Sequence, residues 1–67
     1  MIYVFKDGVL VTSLKAYEVY LHSFPDGVYI YEPKARGGNY WFLKDLTPVL
    51  IEDVPKELRA LVLLMGI

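Results

Sequence analysis

The residues best equipped for chemistry lie together in Lys34-Ala35-Arg36-Gly37-Gly38-Asn39-Tyr40-Trp41, where two cations, two glycines and two adjacent aromatic rings share one short stretch. Cations of this kind grip phosphate oxygens, glycines let a ligand approach the backbone, and rings stack on bases. Lys44 follows closely enough to add a third charge. The spacing of a phosphate-binding loop or a dinucleotide-binding turn is absent, however. A hairpin tip with positive-φ glycines and solvating cations accounts for the same residues more simply.

Two other groupings carry weaker signals. His22 is the single imidazole, with Glu18 one helical turn before it, an arrangement that could orient a general base. No nucleophile is tied to it, because Ser13 and Ser23 fall elsewhere, so a surface histidine is the expectation. Asp45, Glu52 and Asp53 could gather round a hard cation, which wants several oxygen ligands. Helix capping already explains Asp53 and a solvated turn explains Glu52, so no metal is expected. The absence of cysteine removes thiolate catalysis, disulfides and cysteine-ligated metals together. Without a cofactor fingerprint or paired carboxylates, neither an enzyme nor a bound cofactor is expected.

Residues 1–67 form a single domain on grounds of length. Net charge is −1, which supplies no overall field for nucleic acid or an anionic membrane. The opening residues 1–7 read as a strand rather than a signal peptide, so a cytoplasmic location is expected. The apolar tail falls short of the roughly 20 residues that span a bilayer, and no membrane partner is expected.

The elements that must position these groups follow from punctuation and periodicity. Asp7-Gly8 between two apolar runs signals a two-residue hairpin with Lys6 facing Val9 and Phe5 facing Leu10. That register, continued, puts Tyr3, Phe5, Leu10 and Thr12 on one face and Ile2, Val4, Val9 and Val11 on the other, so both faces are apolar. Such a hairpin is covered on both sides or pairs with another chain. Residues 13–24, with Ser13 as N-cap and Leu14, Tyr17, Leu21 and Phe24 as the buried stripe, predict an amphipathic helix, with a strand as the alternative. Strands follow over 28–32, closed by Pro33, over 40–43, and over 48–51. Asp53 as cap, Pro55 in the first turn and Glu57 near the positive end of the dipole start a final helix.

The expected fold is therefore α+β, a small two-layer ββαβββα module with two helices on one face of an antiparallel sheet. Tyr29, Tyr31, Tyr40 and Trp41 would then supply an aromatic surface, with Tyr3, Tyr17 and Tyr20 among the other rings, and so small a domain is not expected to enclose a ligand pocket. In the tail, eight of the ten residues 58–67 are apolar. Leu58, Leu61, Val62 and Met65 suit the chain's own sheet, whereas Leu61, Leu63, Leu64 and Ile67 are assigned to a homodimer interface. The function expected is a small non-catalytic protein-interaction module. Tyr29, Tyr31, Lys34, Arg36, Tyr40 and Trp41 would bind a larger protein and inhibit or modulate it, as accessory proteins of phages and mobile elements do. The alternative is a binder of single-stranded nucleic acid or a nucleotide through residues 34–41, against which the near-neutral charge counts.

Overall fold

The two-residue turn is present: Asp7 and Gly8 both take positive φ, 53° and 79°, the signature of a type I′ hairpin. A computed structural model describes residues 1–35 and 37–67, with the side chain of Tyr20 outside the description. Its elements are β1 (Ile2–Lys6), β2 (Val9–Leu14), β3 (Val28–Ala35), β4 (Gly38–Leu43), β5 (Pro48–Val49) and one helix, α1 (Lys56–Met65), with short 3-10 turns at Ala16–Leu21 and Ile51–Asp53. The strands form one antiparallel sheet in the order β2-β1-β3-β4-β5. The architecture is α+β, a five-stranded sheet with one C-terminal α-helix.

Ladder pairing fixes the two faces. Val4, Ile30 and Phe42 align across three strands, and so do Tyr3, Tyr31, Trp41 and Val49 across four. On the first face Ile2, Val4, Val28 and Ile30 pack with Leu14 and Val19, flanked by Phe24 and Phe42. On the second Phe5, Tyr31 and Trp41 pack under Val54, Leu58 and Val62, flanked by Leu61 and Ile67. Each such side chain contributes about 1.5–3 kcal/mol of burial.

Several expectations need correction. Residues 13–24 are not an α-helix: Ser13 is a β2 residue opposite Tyr3, and only Ala16–Leu21 coils, as a 3-10 helix without a side-chain cap. The two apolar periodicities of this segment compete, and the apolar face of the sheet recruits Leu14 as strand and Val19 from the short coil. The coil and α1 also lie on opposite faces of the sheet, so neither face is bare. The hairpin register holds at Lys6–Val9 and Phe5–Leu10, then shifts, so that Thr12 joins Val4 rather than Phe5. A β-bulge at Val11 absorbs the extra residue.

Pro33 does not end β3, which runs to Ala35. It stands inside the irregular stretch between Glu32 and Ala35, where the ladder is already broken and its missing N–H costs little. β5 stops at Val49, and Ile51 belongs to a 3-10 turn. Asp53 caps nothing: Pro55 precedes α1 without a side-chain cap, though Glu57 does stand in the first turn. At the other end Gly66, at φ 73°, closes a Schellman motif in which the Gly66 N–H donates to Leu63 O and the Ile67 N–H to Val62 O. That motif turns Ile67 back against the core.

Candidate functional site

The aromatic set divides in two once the faces are assigned. Trp41 is 4% exposed and Tyr31 is 3% exposed, both beneath α1. Trp41 sits at the centre, its ring centroid 4.6 Å from Tyr31 and 5.8 Å from Phe5, in tilted geometries suited to aromatic attraction. These rings hold the helix on the sheet, and the expectation that both face a partner is corrected. The Tyr31 hydroxyl donates to Ile67 O at a long 3.5 Å, and burial raises its pKa. Tyr29 is half-buried on the same face, and Tyr40 is exposed opposite Glu32.

In the 34–41 segment, weighed as a ligand grip and as a plain hairpin tip, Ala35 at the end of β3 pairs with Gly38 at the start of β4. Lys34 is exposed and held in left-handed backbone at φ 60°, its N–H donating to Asn39 Oδ1 at 2.7 Å. Arg36 lies outside the described residues. Lys44 pairs with Asp26 instead of joining this patch, and the contact lowers the Asp26 pKa while raising that of Lys44. Asp45 accepts a hydrogen bond from the Thr47 N–H at 3.1 Å, and bonding to Thr47 lowers its pKa. With Trp41 buried and Lys44 engaged, the Lys34 loop keeps Tyr40 as its only described exposed ring.

The surface that remains is built by α1. Leu63 and Leu64 are 80% and 85% exposed, and Leu50 and Ile51 of the preceding segment are also turned outward. Leu61 and Ile67, expected beside them, are half-buried against the core, whereas Met65, expected inward, is exposed. A cleft of about 330 Å³ opens at the side of the helix, floored by Tyr31 and Trp41 and walled by Ile51, Arg59 and Leu63. Clefts of about 340 and 300 Å³ open beside Tyr29 and beneath the 3-10 coil, so the chain does offer concave surface despite its size. All three are open grooves near the lower limit for small-molecule sites.

Arg59 is the residue the sequence reading passed over. It is half-buried, and its Nε is covered without a hydrogen-bond partner among the described residues. Its signal was positional: a cation four residues before Leu63, which places both on one side of a helix. The described residues contain no cluster of three potential metal ligands, and no described helix is long and apolar enough to cross a membrane. Comparison with family models, curated proteins and solved structures finds no match. The functional reading therefore rests on the chain's own geometry.

Proposed function

We propose that this chain is a non-catalytic protein-interaction module that docks a larger protein on the outer face of α1 and modulates it. The observation that carries the reading is the pair Leu63 and Leu64, both at least 80% exposed on a well-formed helix whose other side is fully engaged. Leaving such side chains wet forgoes up to about 1.5–3 kcal/mol each, which a partner recovers. Ile51 and Arg59 extend the surface into the adjacent cleft and give it a polar edge. The same leucines are where a homodimer through α1 would form, but with Leu61 and Ile67 turned inward the face is small and suits a foreign groove better than a copy of itself.

The test couples the intact chain to a resin and compares it with the Leu63→Lys/Leu64→Lys double variant in extract of the source cells. The reading expects at least one protein retained by the wild type and lost by the variant, with unchanged circular dichroism and melting. Identical retention by both would overturn it, as would retention of a labelled single-stranded oligonucleotide in place of any protein.

A further inference from the structure

Among the described residues, Arg59 Nε is the single covered side-chain polar atom without a hydrogen-bond partner. A covered donor lacking an acceptor is costly, most of all in a charged group. The ion pairs among those residues are Lys6 with Asp7 and Lys44 with Asp26, so no carboxylate serves Arg59. Glu52 and Asp53 follow Ile51 in the 3-10 turn, but neither lines the cleft that Arg59 walls. The rest of that lining is the Tyr31 and Trp41 floor, the apolar Ile51, Val62 and Leu63, and Asn39. Asn39 Oδ1 already accepts from the Lys34 N–H, which leaves the amide N–H groups as what this side chain still offers. The cleft thus combines a cation, an amide donor and apolar walls, with no acid of its own.

We infer that the cleft takes an acidic side chain carried on an apolar segment of the docked protein. The inference rests on the docking function proposed above and names the partner's chemistry. Rotation of the half-buried Arg59 side chain turns Nε–H and an Nη–H together to the entering carboxylate, the two-pronged pairing that a guanidinium offers. Arg59 and Leu63 stand four residues apart on α1, about 6 Å along its axis, so the segment presents its carboxylate and an apolar side chain at a matching separation. Charge complementarity selects this occupant over the others. Single-stranded nucleic acid needs phosphate contacts in series and leaves Leu63 and Leu64 wet. An α1 from a second copy brings Lys56 and Arg59 with its leucines, and its one carboxylate, Glu57, lines the cleft beside Tyr29 instead. A free small acid finds an open groove, whereas a segment lying across the cleft and the exposed Leu63 is held by both.

The experiment selects a random peptide library on the immobilised intact chain. The best binder, and the same peptide with its acidic residue replaced by the amide, are then titrated against wild type, Arg59→Gln, Arg59→Lys and Leu63→Lys/Leu64→Lys. The expected result is enrichment of peptides carrying Asp or Glu among apolar residues. Either the peptide amide or Arg59→Gln should weaken binding about tenfold. Arg59→Lys keeps the charge without the fork and should restore only part of it. The leucine double variant should abolish binding. In the nitrogen–proton spectrum of the wild type, the Arg59 Nε–H resonance should move with the acidic peptide and stay with the amide. The amide peptide leaves the protein untouched, so the test holds even if Arg59→Gln is less stable. Enriched peptides without an acidic residue, or an acidic preference indifferent to Arg59→Gln, would overturn the inference while leaving the docking function standing, provided the leucines are still required. Binding indifferent to Leu63→Lys/Leu64→Lys overturns the docking function and the inference with it, as does a library from which nothing is enriched. Displacement of the peptide by a single-stranded oligonucleotide, or wild-type self-association lost in the leucine variant, overturns the inference by naming a different occupant.

Discussion

β1 and β2 are joined by a two-residue turn and have similar apolar character, yet they meet opposite fates. In β1, Ile2, Val4 and Phe5 are buried, Val4 and Phe5 on opposite faces. In β2 only Leu14 is buried, and Val9, Leu10 and Val11 face water. The difference lies in position: β1 has β2 on one side and β3 on the other, and both faces of the sheet are roofed above it. β2 has one neighbour and little roof. Composition decides that a strand forms; its place in the sheet decides whether its side chains stabilise this chain or remain available to another.

The sharpest way to break this comparison is at Phe5, which is fully buried. Phe5→Ala should cost about 3–5 kcal/mol in denaturant unfolding, through lost transfer energy and the cavity left beside Trp41. A loss no larger than that of a surface change would mean that the α1 side of β1 is not packed as described. Ile2→Val removes one methylene at the margin of the other face and should cost about 0.5–1.5 kcal/mol. Val11→Thr in β2 should stay within about 0.5 kcal/mol by the same measurement.

Titration offers a gentler probe of the covered side. Burial raises the pKa of Tyr31, which pairs with Tyr3 of β1. The folded state therefore holds its phenol proton more tightly than the unfolded state does, and stability falls as pH rises above the ordinary value of 10.0. Asp26 and Asp45 have lowered pKa values, so whatever they contribute is present above 3.8 and declines as pH falls below it. Both carboxylates are fully exposed, so the acid side should be nearly flat beside the alkaline side.

What was legible in the sequence follows the same logic of local against distant causes. Asp7-Gly8 announced its turn because both residues tolerate positive φ, and the Lys6–Val9 and Phe5–Leu10 pairs followed from it. The bulge at Val11 has no residue signature, and one extra residue moved Thr12 to the other face. Strand alternation over 28–32 carries Tyr29 and Tyr31 to one face and Val28 and Ile30 to the other; which face α1 would cover is decided by long-range packing that a local pattern does not encode. Residues 13–24 matched two periods at once, and the sheet settled the matter by taking Leu14 as strand. In the tail, the exposure of Leu63 and Leu64 was legible because there were more apolar residues than one stripe could bury. Ile67 was misassigned because the Schellman turn at Gly66 reverses its direction. Trp41 and Tyr31 were misassigned because interface and core favour the same rings.

The central claim is that place in the sheet, rather than composition, decides which of two similar strands this chain holds, and the β1–β2 hairpin tests it most directly. Amide hydrogen exchange of the wild-type chain, followed residue by residue, reads both strands in one experiment. The account predicts protection throughout β1, which is paired on both sides, and in β2 a split between amides that bond to β1 and are protected and outer-edge amides that exchange fast. Protection along β2 as uniform and as strong as that of β1 would contradict it.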